Sequence, residues 1–252
     1  MKVSVLASGS RGNAFLIRAG KEAILIDAGL GAITLKNRLQ VLGESLEGLS
    51  AIFLSHEHID HIRGVEFLCK NFSVPIFATE GTWEKIQLPA PAKKVIIKAG
   101  EKILLNGFEV RAFRLPHDAR EPVGFVIEGF GHRLSLATDL GSINALVKER
   151  LKGAELVILE SNHDPKMLKA GPYPWALKQR ILSRFGHLSN QDCGRTLSEL
   201  EFGALRQVVL AHLSQTNNTP QLAYQTVREY LGEQVELKLS SQDRPGPVIE
   251  LK

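Results

Sequence analysis

Three histidines and an aspartate follow a short apolar segment within six residues, and this spacing constrains the chain more than any other feature. Residues 51–54 are apolar and lead directly into His56, His58, Asp60 and His61. Neutral imidazole and carboxylate groups are the usual protein ligands of zinc and similar divalent ions. A solvated histidine patch has no reason to follow a buried strand at this spacing. We therefore predict a metal site at the end of this strand, where one loop supplies ligands to two ions.

Four other apolar segments also end in an aspartate or a histidine. Asp27, His117, Asp139 and His212 each follow a segment with the composition of a buried strand. An isolated residue of this kind is more often a turn former or a hydrogen-bonded structural side chain. Their recurrence along one chain instead indicates that several strand ends converge on one site.

Taken in their order along the chain, the H-x-H-x-D-H sequence and the four strand ends resemble the metal-binding motifs of the metallo-β-lactamase superfamily. The resemblance extends from Met1 to about Tyr230. It implies an α/β (α+β) fold, a four-layer αββα sandwich, in a single domain over residues 1–252. The site is then expected between the two sheets, at the ends of their strands.

The resemblance also implies two divalent metal ions as cofactors, and Zn, Mn, Fe and Ni all fit such ligands. The implied ligands are His56, His58 and His117 for one ion, Asp60, His61 and His212 for the other, and Asp139 as the bridge. Asp60 and Asp139 are expected to serve catalysis as well. Asp27 is expected to support the histidine loop, although it also suits a turn before Gly29. Two ions about 4 Å apart activate a water and clamp the oxygens of a displacement at phosphorus.

Two later segments, residues 159–164 and 186–190, resemble in position two loops of the tRNA-processing nuclease ribonuclease Z. In that nuclease a Glu–His pair donates a proton to the leaving oxygen, which implies this role for Glu160 and His187. The residues after Glu160 depart from the ribonuclease Z pattern, and its long tRNA-gripping insertion is missing.

The closer resemblance is to the YycJ/WalJ group of small bacterial proteins with the same fold. Its hallmarks resemble residues 7–13, 116–119, 160–164, 186–190 and 212–220. The group is thought to contain metal-dependent DNA exonucleases that act from the 5′ end. The resemblance therefore implies a phosphodiesterase of this kind, with nucleic acid, in particular DNA, as its substrate.

Three further residues are candidates for substrate binding, each with a structural alternative. Arg11 lies in the glycine-rich segment 8–13 and could contact a phosphate, but the segment also suits a tight hairpin. His163 could contact metal or substrate, or could hydrogen-bond to residues 186–190. Asn190 is the third candidate, at the start of a helix predicted over residues 189–202, which Ser189 would cap.

Charge is distributed unevenly along the chain. Residues 148–186 carry eight basic and four acidic residues, which accounts for the whole net charge of +4. Much of this charge lies on or near a helix predicted over residues 173–185. A solvated helical face explains the charge alone, whereas a site for phosphodiesters nearby would make it a nucleic-acid contact.

Two rival functions remain open from the sequence. One is a small-molecule hydrolase acting on a cyclic phosphodiester or a thioester, and the other is a non-enzymatic regulatory module. The intact ligand set argues against the second. The first residues have too short an apolar run for a signal peptide, and no segment is long enough to span a membrane. We expect a cytoplasmic protein without membrane contacts, either a monomer or a homodimer.

Overall fold

Two mixed β-sheets of seven strands each form the centre of the molecule in a computed structural model that describes residues 1–88, 92–200 and 203–252. The strands are β1 (Lys2–Ala7), β2 (Ala14–Ala19), β3 (Glu22–Ile26), β4 (Leu49–Phe53), β5 (Pro75–Thr79), β6 (Lys93–Ile97), β7 (Lys102–Leu105), β8 (Phe108–Arg114), β9 (Val123–Gly129), β10 (His132–Ala137), β11 (Leu156–Glu160), β12 (Gln207–Ala211), β13 (Glu236–Leu239) and β14 (Val248–Glu250). The helices are α1 (Ala32–Val41), α2 (Ile59–Ile62), α3 (Val65–Asn71), α4 (Glu80–Trp83), α5 (Ala145–Leu151), α6 (Pro165–Ala170), α7 (Trp175–Leu182), α8 (Asn190–Ser198) and α9 (Pro220–Leu231).

Each sheet combines an antiparallel half with a parallel half. The first sheet has the order β14-β1-β2-β3-β4-β5-β6, and its strands from β3 to β6 run parallel. The second has the order β13-β12-β11-β10-β9-β8-β7, and its strands from β10 to β13 run parallel. The carboxyl ends of parallel strands lie at the same edge of a sheet. The residues that follow β3 and β4 therefore meet at one edge of the first sheet, and those that follow β10, β11 and β12 meet at one edge of the second.

Three apolar clusters lie between the four layers of the fold, which are two sheets and a layer of helices outside each sheet. The middle cluster lies between the sheets and contains Phe15, Phe53 and Phe125. A second cluster joins the outer face of one sheet to helices such as α1 and α3, and a third joins the other sheet to α5, α8 and α9. Because β4 and β11 bury both faces, they appear in the sequence as continuous apolar runs. The αββα sandwich expected from the sequence is confirmed.

Two helices differ in length from the sequence prediction. The helix predicted over residues 173–185 is shorter, α7, because Pro174 takes an extended conformation before it and residues 183–186 turn away after it. The helix predicted over residues 189–202 begins at Asn190, and Ser189 Oγ accepts a hydrogen bond from the Asp192 amide as the cap prediction required. It ends at Ser198, and Glu201 and Phe202 lie outside the described residues.

No helix among residues 1–88, 92–200 and 203–252 combines the length and the apolar character that crossing a bilayer requires.

Candidate metal centre

The histidines and aspartates predicted from the sequence meet at the shared edge of the two sheets. His56, His58 and His117 offer nitrogens that all lie within 4.8 Å of one another, and so do the ligand atoms of Asp60, His61 and His212. These are the two sets that the sequence resemblance implied. The seven residues arrive from the ends of β4, β8, β10 and β12 and from α2.

Asp139 lies between the two sets. Its Oδ2 is 3.1 Å from His61 Nε2, while its Oδ1 is 3.5 Å from His212 Nε2 and 3.9 Å from His117 Nε2. Asp139 therefore has a ligand of each set within 4 Å, as a bridging carboxylate must.

The donor atoms of this cluster fit a bound divalent cation. His117 Nε2, His212 Nε2 and Asp139 Oδ2 are buried and make no hydrogen bond among the described residues, and the 3.1 Å contact of Asp139 Oδ2 with His61 Nε2 joins two of the candidate ligands themselves. Such atoms are costly to bury unless something satisfies them. Cations bound by nitrogen and carboxylate oxygen, one at each set, would satisfy all three atoms, so the residues present fit the metals that the fold implies.

Asp27 connects the histidine loop to the sheet. Its Oδ2 lies 2.7 Å from His61 Nδ1, and because a carboxylate only accepts, the Nδ1 hydrogen must point at Asp27 and leave Nε2 for a metal. Ser55 donates from its amide to Asp27 Oδ1 at 2.8 Å and from its hydroxyl to Asp27 Oδ2 at 2.8 Å. Ser55 was missed in the sequence analysis, although it directly precedes His56.

Asn13 ties the glycine-rich turn between β1 and β2 to the same loop. Its Nδ2 lies 3.0 Å from His61 Nε2, the nitrogen that a metal would take, and donates to Asp60 Oδ2 at 3.3 Å. Its backbone N–H donates to the Asp60 carbonyl at 2.7 Å. The backbone is so close here that a Cβ on Gly29 would lie 1.6 Å from the Asp60 carbonyl oxygen. The Asp-Ala-Gly sequence therefore needs its glycine for this close approach.

Glu160 and His187 form a hydrogen-bonded pair beside the cluster. His187 Nδ1 lies 2.7 Å from Glu160 Oε1, and His212 Nδ1 lies 3.0 Å from the same oxygen. Burial alone would raise the pKa of Glu160, but attraction from His187 and His212 and their hydrogen bonds hold that pKa at about 2. Glu160 is therefore ionised at neutral pH, and the ring of His187 remains partly exposed towards the cleft.

Backbone strain is concentrated at this edge. Asp27, Asp139 and His212 have φ angles of 58°, 62° and 53°, in the left-handed region that residues other than glycine seldom adopt. All three follow strands, and all three contact the ligand cluster. Strained backbone of this kind tends to occur where function requires a particular side-chain direction.

The three substrate-binding candidates occupy different positions. Arg11 is exposed and pairs through Nη1 with Asp243 Oδ1 at 3.1 Å. His163 is buried, its pKa is lowered by burial to about 4, and its carbonyl accepts from the Asn190 amide at 2.9 Å. Asn190 is fully buried and bonded to Ser161. The contacts of His163 and Asn190 favour structural roles, and substrate binding by any of the three stays a prediction.

Asn218, which lies in the hallmark segment 212–220 but had no role assigned from the sequence, holds the loops of the second sheet together. Asn218 Nδ2 donates to the carbonyls of Ser161 and Asn162 at 3.0 and 2.9 Å, and lies 3.0 Å from Asn190 Oδ1. Asn162 in turn donates to the His212 carbonyl at 2.8 Å. This network fixes the loop after Glu160 against the loop that carries His212.

Replacing Asp27 with alanine is expected to weaken metal binding about 10- to 100-fold, because outer partners of ligating histidines typically contribute that much. Asp27→Asn is the matched control, since asparagine tolerates the left-handed backbone and its amide oxygen can still accept from His61. Competition with a chromogenic chelator measures both affinities. Equal affinities for Asp27→Ala and the wild type would remove Asp27 from the site.

Comparison with known proteins agrees with this geometry. The sequence profile of the Beta-lactamase superfamily domain matches residues 22–213. The chain is 35% identical over 235 residues to exodeoxyribonuclease YycJ of Bacillus anthracis, covering 91% of this chain and 89% of the relative. It is 33% identical over 263 residues to exodeoxyribonuclease WalJ of Streptococcus pneumoniae serotype 2, covering 99% and 98%.

A solved structure shows the same fold. The metallo-beta-lactamase fold protein YhfI from Bacillus subtilis superposes with a TM-score of 0.76 over 99% of both chains, at 19% sequence identity. The profile match and the similarity to two relatives over nearly their whole length confirm the resemblance found in the sequence. The chain belongs to the beta-lactamase superfamily and, within it, to the group that contains YycJ and WalJ.

Proposed function

We propose that this protein is a metal-dependent exodeoxyribonuclease that uses two divalent ions and degrades DNA from the 5′ end. The observation that carries the proposal is the meeting of seven metal-binding side chains with the Glu160–His187 pair at one edge of the sheets. The two relatives with nearly full-length similarity are both named exodeoxyribonucleases, which supports DNA as the substrate.

When bound, the ions would activate a water molecule and stabilise negative charge on the phosphate oxygens. His56, His58 and His117 would hold one ion, Asp60, His61 and His212 would hold the other, and Asp139 would bridge them. The carboxylates of Asp60 and Asp139 also direct the hydrogens of the attacking water, since ionised carboxylates only accept hydrogen bonds.

His187 would supply the proton that the leaving oxygen needs. Its Nδ1 faces Glu160 Oε1, so Nε2 is the atom that carries a proton towards the cleft. Glu160, ionised and fully buried, stabilises the positive charge of the imidazole and fixes its orientation. A positioned acid of this kind typically contributes about 10²–10⁴-fold to the rate.

The experiment that tests this function uses end-labelled single- and double-stranded DNA and RNA, each with Zn, Mn, Fe or Ni. Stepwise release of nucleotides from the 5′ end of DNA with at least one metal is the expected result. Preferential hydrolysis of a cyclic phosphodiester or a thioester would replace the proposal with the small-molecule hydrolase. No hydrolysis of any substrate with any metal would favour the regulatory module.

The same proposal places the working unit in one domain over residues 1–252, in the cytoplasm. Ligands come from both sheets, so neither half of the chain could assemble the site alone. Cys69 and Cys193 are both free thiols, which suits a reducing compartment.

Binding of DNA is expected to depend on salt through the basic residues in and after α7. Changing Lys178, Arg180 and Arg184 to glutamine should make the slope of log affinity against log salt shallower, by roughly 0.7 to 0.9 for each lost phosphate contact. Fluorescence anisotropy over a salt series measures this slope. Hydrolysis of a small phosphodiester should not change.

The matched control neutralises Lys2, Lys21 and Lys252. These lysines lie at the start of β1, at the turn between β2 and β3 and at the chain end, away from the edge that carries the ligands. For this control variant, the slope of log affinity against log salt should equal that of the wild type. An unchanged slope in the α7 variant would reject this segment as the DNA contact.

A further inference from the structure

A cavity of about 200 Å³ opens beside His187, and its lining has two chemical characters. One part of the lining is imidazole, from His117, His187 and His212. Another part is aromatic and aliphatic, from Tyr173, Ile181 and Phe185. The cavity is smaller than the roughly 300–1,000 Å³ pockets that enclose whole drug-sized ligands, so it suits one ring system rather than a complete nucleotide.

Of the apolar lining, Ile181 is buried, whereas the two aromatic side chains are not part of the protein core. Phe185 is 43% exposed, and neither Phe185 nor Tyr173 belongs to the three apolar clusters of the described chain. These two aromatic rings share the cavity with three imidazoles and offer a surface for stacking beside the candidate metal centre.

The segment that carries Phe185 is held rigidly against α7. The His187 amide donates to the Ile181 carbonyl at 3.0 Å, and the Asp118 amide donates to the Phe185 carbonyl at 3.0 Å. A Cβ on Gly186 would lie 2.2 Å from the carbonyl oxygens of Arg180 and Ile181, so only glycine allows this packing. The backbone at Phe185 is therefore held in place relative to His187, two residues further on.

Positive charge accompanies these rings. The Arg184 guanidinium lies 4.5 Å from the centroid of the Phe185 ring. Arg180 also lines the cavity, and its Nε donates to Asp118 Oδ2 at 2.7 Å, which neutralises the acid on the same rim. A ring surface beside a net positive rim complements a base attached to a phosphate backbone.

We infer that this cavity is a nucleobase subsite that holds one unpaired base, stacked on Phe185 and Tyr173. The inference rests on the proposed function. The base belongs to the nucleotide whose oxygen leaves, because His187, which would protonate that oxygen, borders the same cavity. Stacking accepts every base, so the subsite adds affinity without sequence preference. A base in this cavity cannot be paired, so the terminal pair of a duplex must open before it is cut.

The test compares oligonucleotides that carry or lack the base at the terminal nucleotide. Phe185→Ala and Tyr173→Ala are expected to lose about 5- to 150-fold in kcat/KM on the intact oligonucleotide, the range typical for removing a stacked aromatic. On the abasic oligonucleotide they should lose less than about twofold. Tyr173→Phe keeps the ring and should behave as the wild type on both.

Trp175→Ala is the matched control. Trp175 is a 64% exposed aromatic at the start of α7 that does not line the cavity. Any loss in this variant should be the same on the intact and the abasic oligonucleotide. Equal losses on the two substrates for Phe185→Ala and Tyr173→Ala would overturn the subsite.

Duplex substrates test the consequence for pairing. Ends that close with A·T pairs or a mismatch should be cut faster than ends that close with G·C pairs, and a single-stranded overhang should remove the difference. A rate that does not depend on the terminal pair would contradict an unpaired base in the cavity.

A binding measurement separates this inference from the proposed function. An oligonucleotide with 2-aminopurine at its terminal position should lose fluorescence on binding to protein treated with a chelator, because stacking quenches this base. Phe185→Ala should remove most of the quenching. Quenching without hydrolysis under any metal would retain the subsite and reject the exonuclease, whereas hydrolysis without quenching would retain the exonuclease and reject the subsite.

Discussion

Replacing Asp139 with alanine is expected to deprive the protein of both ions and to abolish hydrolysis. Asp139 has ligands of both sets within 4 Å, and its Oδ2 has no other partner in the described parts of the chain. His58→Ala and His212→Ala should each remove a ligand from one set only, so each should lower the metal content with partial retention of the other ion. Elemental analysis of the purified variants measures the content directly.

His132→Ala is the control for this series. His132 lies in β10, outside the cluster, and contacts Glu155 at 3.2 Å. Its variant should keep the metal content and the activity of the wild type. A ratio near one ion per chain in active wild-type protein would contradict the two-ion site.

Replacing His187 with alanine is expected to slow the cleavage of DNA by about 10²–10⁴-fold while both ions remain bound. The leaving oxygen of a nucleotide is strongly basic, so its departure without a proton is slow. A nitrophenyl phosphodiester releases a stabilised phenolate and hardly needs the proton, so activity on it should largely survive. Rates on both substrates, together with the metal content, measure this difference.

Glu160→Gln should show the same pattern with a smaller loss on DNA, because Glu160 acts only through the imidazole of His187. If His187 merely packs its loop, both substrates should slow by the same factor and the melting temperature should fall. That outcome would exclude His187 as the acid.

The meeting of these histidines and aspartates at one place could be predicted from the sequence because they follow apolar strands. Strands that are buried on both faces are recognisable as apolar runs, and their carboxyl ends gather at one edge when the strands are parallel. The positions of His56, Asp139 and His212 follow from that rule together with the family resemblance. The fold class could be predicted for the same reason.

Apart from the support of the histidine loop by Asp27, the long-range contacts around the site could not be predicted in this way. Arg11 pairs with Asp243, which is 232 residues away, and Asn218 joins loops that are up to 57 residues distant from it. Such contacts depend on how the last loops fold back on the first strands, and no local spacing encodes that. Asn190 looked available to substrate because it begins a helix, yet the helix start is covered by neighbouring loops.

Because Asp27, Asp139 and His212 have left-handed backbone conformations, the loss of bound ions is expected to affect how long the protein survives degradation as well as its activity. Each such residue costs of the order of 1–3 kcal/mol, so this edge of the fold is strained until bound ions offset the cost. Molecules that have lost their ions would therefore be inactive and would also open more often. Proteases act on opened chains, so degradation would remove the inactive molecules before the active ones.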